Sequence, residues 1–583
     1  MRLPTTLGTA LLTCSLVGAV ASDTQAQDQP QDFRARATAV RHLVVIFQEN
    51  VSFDHYFATY PNAANPAGEP RFTADADTPS VNGLTLQLLR FNPNLGNPQR
   101  LDRSEALTCD QDHDYTPEQN AADHGAMDAF VQNTSDTAGG KPVTRGQCDI
   151  PTRSSPANDF AVMDYYDGNT VTGLWNYAQH FAMSDNSYGT TYGPSTPGAL
   201  NVTAGNTFPT LCAADRGAAL SGGDDPDVYD AANNVKPCPG GLSTKAPAGS
   251  TVGTGTGTMV GDADPYFDAC ADGTASAAQG GRTIGDLLND RGVTWGWFEG
   301  GFSSPNYIPG QKATFDPSTI CTGHHYNIGA GPDKAGKPCV TPSAPPQPID
   351  TFCTLDYSPH HEPFQYFAST SNPQHLPPTT IDNIGKQDQA NHQYDLADFW
   401  AAVDRGNMPA VSYLKAERAE DGHAHNSSPL DEQRFLVSTI NHLERSSDWD
   451  STMVAILWDD SDGWYDHVLA PLTTQSQTGL DSLTGAGQCG ATTTQVPSGQ
   501  EARCGLGPRL PLLIVSPFAK QNFVDHAVTD QSSVIRFIED NWNLGRIGNG
   551  SSDATAGSLT NMLDLGGHRA DRLFLDPATG ERR

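Results

Sequence analysis

Four short runs of apolar residues punctuate the chain: "LVVIF" (Leu43–Phe47), "AVSYL" (Ala410–Leu414), "MVAILW" (Met453–Trp458) and "LPLLIVS" (Leu510–Ser516). A strand that is apolar on both alternating faces must be covered on both, which suits the centre of a sheet flanked by helices. Helical patterns lie between the runs. In "PLDEQRFLVSTINHLERS" (Pro429–Ser446) Phe435, Ile440 and Leu443 recur at near-helical spacing behind an acidic first turn. "DQSSVIRFIEDNW" (Asp530–Trp542) is a second such helix, with Asp530 expected as its N-cap. Strands alternating with helices predict an α/β fold with a mainly parallel sheet.

The margins read differently. Residues 1–26 carry one Arg, an apolar stretch from Leu7 to Val20 and small residues near their end, the pattern of a secretory signal peptide. Residues 27–40 read as a polar lead-in, 213–281 as a Gly/Asp-rich loop insertion without periodic apolar pattern, and 546–583 as a short polar C-terminal tail. No second apolar stretch reaches membrane length, so a secreted or periplasmic protein without an integral membrane segment is expected. Beyond Cys14 in the leader stand ten cysteines, none in a C-x-x-C pair, and most in Gly/Pro-rich loops. In an exported chain that pattern predicts disulfides rather than zinc ligation.

The formal net charge is −33. It argues against nucleic acid as a partner, since a phosphate backbone calls for basic clusters. It suits cation binding, and the polar residues at strand ends say where. Glu49 and Asn50 follow the first apolar run directly, and Asp459 and Asp460 follow the third. Adjacent carboxylates repel each other, and burying both requires a cation or a proton. Asp462, Asp466 and His467 offer further acceptors within the same "WDDSDGWYDH". In "TTYGPSTPGALNV" the Gly193-Pro194 break sets Ser195 just before, or at, a helix N-terminus, whose free N–H groups suit a phosphate or a hydroxyl losing its proton. His423 and His425 lie in a polar loop, as do His113 and the pair His360-His361. One such imidazole could serve as the acid for a leaving group.

Taken together, "HLVVIFQENVSFDHYF", "GPSTPGAL", "DGHAHNSSPLDEQ", "WDDSDGWYDHV" and "GPRLPLLIVSPFAKQNFVDHAVTDQSS" resemble, in order, the bacterial phosphoesterase family of phospholipases C and AcpA-type acid phosphatases, within the alkaline phosphatase superfamily. The resemblance implies an alkaline phosphatase-like α/β/α sandwich with a mostly parallel central sheet and long loop insertions, and a single catalytic domain over 41–545. It implies one divalent metal ion, of the Ca, Mg or Zn kind, held by Glu49, Asn50, Asp459, Asp460 and the nucleophile Ser195. It also implies His423 near the leaving group, and His113, His360 and His361 lining the substrate pocket. Relatives often carry Asn-Arg or Asn-His after the motif proline, where this chain has Gly198-Ala199.

The expected activity is hydrolysis of a small-molecule or lipid phosphoester through a phosphoseryl intermediate. The alternative is a phosphodiesterase specific for phosphocholine lipids. A sulfatase would need an arginine at position 199, where Ala199 stands. A secreted calcium-holding binding protein would account for the composition but not for five ordered motifs.

Overall fold

The computed structural model describes residues 39–137, 141–143, 159–214, 227–229, 235–238, 257–273, 275–340, 352–474 and 503–583. The expected leader over 1–26, nearly all of the lead-in and much of the insertion lie outside them.

Among the described residues, eight strands form the central sheet. They are β1 (His42–Gln48), β2 (Ala182–Ser184), β3 (Trp295–Glu299), β4 (Gln393–Asp395), β5 (Val411–Lys415), β6 (Thr452–Trp458), β7 (Leu512–Val515) and β8 (Phe523–Asp525). Their spatial order is β4-β3-β5-β1-β6-β7-β2-β8. All pairs are parallel except those of β7, which runs antiparallel to both β6 and β2. The fourth apolar run is thus a central strand, as read, but the one that reverses. β1 sits in the middle, with Leu43 opposite Val411 on one side and Met453 on the other.

Helices cover both faces. On one side α1 (Thr172–His180) and α5 (Pro429–Arg445) pack together, the Gly173 N–H donating to Gln433 Oε1 at 2.8 Å. Trp458 Nε1 of β6 donates to Glu432 Oε1 at 2.9 Å on this face. On the other side α2 (Ser195–Ala204) lies against β5 through Tyr413, whose hydroxyl is 3.4 Å from Val202 O. Here α2 also packs on α3 (Ile284–Arg291) and α6 (Ser532–Trp542). α4 (Leu396–Arg405) covers β3 at the sheet's edge, where Phe399 meets Phe298.

α5 begins as its sequence suggests: Ser428 accepts the Leu430 and Asp431 N–H groups, and Pro429 occupies the first turn where no donor is needed. α6 starts one residue later than an Asp530 cap would set it, with Gln531 in the cap position. Asp530 stands outside it but still accepts the Ser532 N–H at 2.7 Å and the Thr190 hydroxyl at 2.8 Å.

The described parts of the insertion are not bare loop. Asp264–Pro265 and Ser276–Gln279 pair with each other, and the latter with Thr210–Ala213, just beyond α2. Val228, Met259, Ala263 and Ala277 share a small core with Leu200 and Ala204 of α2. These strands are too short to show a period in sequence. The tail is docked as well: Leu573 and Leu575 are buried, and Asn441 of α5 donates to Leu575 O at 2.9 Å. Cys212–Cys238, Cys270–Cys321 and Cys339–Cys353 are disulfides, and Cys109 and Cys504 are disulfide-bonded too. Among the described residues no helix is long and apolar enough to cross a membrane.

Candidate active site

β1, β5 and β6 run parallel, so their carboxyl ends open on one rim, where sites assemble in α/β sheets. Glu49 and Asn50 follow β1, Asp459 and Asp460 follow β6, and all four are buried. The two strand ends are stitched by backbone: Asp459 N–H donates to Gln48 O and Val51 N–H to Asp460 O, each at 3.1 Å. Asn50 sits at φ 45°, left-handed backbone that asparagine tolerates better than most residues. Its N–H donates to Asp459 Oδ1 at 3.2 Å.

Ser195 enters from the opposite side. As the first residue of α2 it is buried, and its Oγ lies 3.2 Å from Glu49 Oε2 and 3.2 Å from Asp460 Oδ2. α2 approaches this closely because of Gly198. A Cβ there would stand 2.2 Å from Asp459 O and 2.8 Å from its carbonyl carbon. A side chain at this position has no room here.

The acceptor density is what suggests a cation. The Asn50 carboxamide presents one atom 2.6 Å from Glu49 Oε2 and 3.1 Å from Asp459 Oδ1. With the carbonyl oxygen in that place, three oxygens converge with no hydrogen between them, which a bound cation would relieve. With the amide turned over, its NH₂ donates to both. Asp459 Oδ2 has no hydrogen-bond partner. Burial and the neighbouring Asp459 carboxylate push the Asp460 carboxyl well above the usual range. An all-oxygen set of carboxylates, carboxamide and hydroxyl suits a hard divalent ion.

One cation is built in. Lys415, the last residue of β5, is fully buried, with its Nζ paired to Glu49 Oε1 and 3.9 Å from Asp459 Oδ2. Burial pulls its ammonium pKa down against the surrounding carboxylates. Sequence reading passed over it, although a lysine directly after "AVSYL" is the same signal as a glutamate directly after "LVVIF". Asp421 was passed over too. It joins Glu49 and His361 in one buried group with ligand atoms within 4.8 Å of one another, and its Oδ2 has no hydrogen-bond partner.

The histidines take distinct places. His361 Nδ1 is 3.3 Å from Glu49 Oε1, and burial, with His360 beside it, holds its pKa well below the usual range. His113 Nε2 faces the Asn50 amide at 3.4 Å. Burial opposes its protonation, yet Asp460, Asp462 and Asp110 together hold its pKa well above normal. The His423 ring lies 6.4 Å from that of His113, and its Nδ1 is spent on Ala424 O at 2.6 Å, leaving Nε2 for other chemistry. His360 stands further out, with Nδ1 3.4 Å from Asp264 Oδ1.

Asp466 and His467, offered by their sequence as extra acceptors, turn away from this centre. Asp466 and Asp54 bind the buried Arg509, each with an oxygen 3.0 Å from its Nη2, and His467 Nδ1 pairs with Asp54 Oδ2 at 2.6 Å. They form a brace behind the site. Glu118 is a second brace: it accepts the Gly193 N–H at 3.0 Å and the Ser461 hydroxyl at 2.6 Å. Burial raises its carboxyl to about 8.

Comparison with known proteins decides the wider identity. A family model, the Phosphoesterase family, matches residues 40–545. The chain belongs to the phosphoesterase family. It is 33% identical over 144 residues to a non-hemolytic phospholipase C of Burkholderia pseudomallei, a match covering 24% of this chain and 20% of that protein. It is 30% identical over 143 residues to a non-hemolytic phospholipase C of Pseudomonas aeruginosa, with the same coverage. Phospholipase C B of Mycobacterium tuberculosis is 25% identical over 183 residues, 29% of this chain and 32% of the relative. The chain thus matches about a fifth of the length of the first two relatives and about a third of the third. Within this phosphoesterase the central sheet, the strand-end carboxylates and α2 lie inside the family's span.

Proposed function

We propose that this chain is an exported, metal-dependent phosphoric ester hydrolase with Ser195 as nucleophile. The observation that carries the reading is Ser195 Oγ, at the first turn of a helix, 3.2 Å from a carboxylate oxygen of each of two strand ends. Glu49, Asn50, Asp459, Asp460 and Ser195 would hold one divalent ion. When bound, such an ion supplies charge neutralisation to the phosphoryl group and lowers the pKa of an adjacent hydroxyl.

The chain's own groups do the rest. Ser195 Oγ gives up its proton towards Glu49 Oε2 or Asp460 Oδ2 and attacks phosphorus in line. The bond from phosphorus to the leaving oxygen breaks, and that oxygen takes a proton from His423 Nε2. Water, deprotonated by the now neutral His423, then attacks the phosphoseryl group, and Ser195 recovers its proton as the phosphate departs. His113, His360 and His361 line the approach. Eight disulfide-bonded cysteines at described positions suit export. A second reading is a phosphodiesterase specific for phosphocholine lipids, whose phospholipid-diester part is favoured by relatives that bear the name phospholipase C.

The mature chain and its Ser195→Ala variant should be assayed on p-nitrophenyl phosphate and p-nitrophenyl phosphorylcholine, with and without chelator. Turnover lost in the variant and on chelation supports the mechanism. Full activity in Ser195→Ala would sink it, and turnover mainly of the phosphorylcholine ester would favour the second reading.

A further inference from the structure

α2 presents its N-terminus to the site, and one of its first N–H groups is already taken. The N–H of Thr196, the residue after the nucleophile, donates to Asp262 Oδ1 at 2.9 Å. Asp262 does not belong to the helix or to the sheet; it comes from the insertion. Its position is well held: Ala263 next to it is fully buried and accepts a hydrogen bond from the Tyr366 hydroxyl at 2.6 Å. Tyr366 in turn lies 3.3 Å from Thr196 Oγ1. The preceding segment is tied by Met259 N–H to Thr207 O at 2.9 Å and by Val260 N–H to Asp227 O at 3.0 Å. Asp264, two residues on, reaches His360.

A helix N-terminus beside a nucleophile is where a transferring phosphoryl group would place an oxygen. Here a fixed carboxylate stands on that N–H instead. Two consequences follow for the substrate. One donor is unavailable to a third non-bridging oxygen, and a negative charge sits about one peptide unit from the attacking Oγ. A phosphomonoester carries close to two negative charges above pH ~6. A phosphodiester carries one, and has two free oxygens rather than three.

Resting on Ser195 as the nucleophile, we infer that Asp262 is a specificity residue which disfavours doubly charged phosphomonoesters and so tilts the site towards singly charged phosphodiesters. Its role is electrostatic. The insertion is then not an ornament on the fold but the part of the chain that reads the charge of the phosphoryl group.

The test is Asp262→Asn, which keeps an oxygen to accept the Thr196 N–H and removes the charge. p-Nitrophenyl phosphate and methyl p-nitrophenyl phosphate serve as the pair, since they share a leaving group and the methyl group is uncharged. The ratio of kcat/KM for monoester over diester should rise about tenfold, the size expected for one unit charge at several ångströms in a partly buried setting. Inhibition by inorganic phosphate should strengthen in parallel. An unchanged ratio, or equal loss of both activities, would overturn the inference and leave Asp262 as a helix cap alone. Should Asp262→Asn accumulate poorly, Asp262→Ser retains a capping oxygen and is read by the same ratio. Failure of the underlying mechanism would show separately, as Ser195→Ala turning over both esters.

Discussion

Lys415 and Glu49 stand at the carboxyl ends of adjacent parallel strands and meet there as a buried ion pair. Each strand end contributes one charge to the same dry space, so neither is tolerable alone. Lys415→Met removes the amine and leaves Glu49 and Asp459 facing each other. Breaking a buried pair by removing one partner typically costs about 3–5 kcal/mol. Urea unfolding of the metal-free protein should show a loss of that order; a loss under about 1 kcal/mol would mean the pair is not the site's main counter-charge.

Gly198 sets how near α2 comes to β6. Gly198→Ala forces a methyl group against the Asp459 carbonyl, 2.2 Å away, and backbone cannot step aside as a flexible side chain can. Overpacking of this kind costs about 1–3 kcal/mol. The larger effect should be on turnover, at least tenfold down, because Ser195 moves relative to Glu49 and Asp460. Activity close to wild type would show that the helix position is not what aligns the hydroxyl.

Arg509 joins the loop after β6 to the segment after β1. Arg509→Leu would leave Asp466 buried without its cation and Asp54 with His467 alone, again at about 3–5 kcal/mol. Thermal unfolding should report it. If instead the variant is as stable as wild type but inactive, Arg509 has a part in chemistry that its position behind the site does not suggest.

His55 gives stability a dependence on acid. Its ring is buried, stacks on Trp464 at 3.9 Å between centroids and donates through Nδ1 to Asp164 O at 2.7 Å. Burial lowers its pKa from 6.5 to about 3. Between those values the unfolded chain binds a proton that the folded protein refuses. This contribution to stability is therefore complete above pH 6.5 and is lost as pH falls from 6.5 towards 3. His55→Phe should flatten that part of the pH–stability curve at some cost from the lost hydrogen bond. An unaltered slope would place the acid sensitivity elsewhere.

The centre was legible because its residues break a strong pattern. Glu49, Asn50, Asp459 and Asp460 interrupt apolar runs at one end, and the parallel sheet brings those ends together with Ser195. Lys415 was equally visible but breaks its run by a single residue, and a lone lysine after a strand usually lies in solvent. Asp262 could not be found this way. It reaches Thr196 through pairings of two and four residues, too short to leave a period. Asp466 and His467 show the opposite failure: acceptors close in sequence to Asp459 and Asp460, turned towards Arg509 and Asp54. In the tail, Leu573 and Leu575 belong to a three-residue apolar run too short to show a period, and their burial depends on contacts with α5 that only the finished fold supplies.

The position of β1 has a consequence for how the chain is made. It is the first strand among the described residues and lies mid-sheet, yet both its neighbours come from beyond residue 410. Until then a flat, uncharged apolar ribbon has two open edges, the template on which chains pair with the wrong partner. Contact order this high slows folding and lengthens that exposure. A nascent chain cut short before β6 would carry Ser195, Glu49 and Asn50 but neither Asp459 nor Asp460, and would be more prone to aggregate than to act.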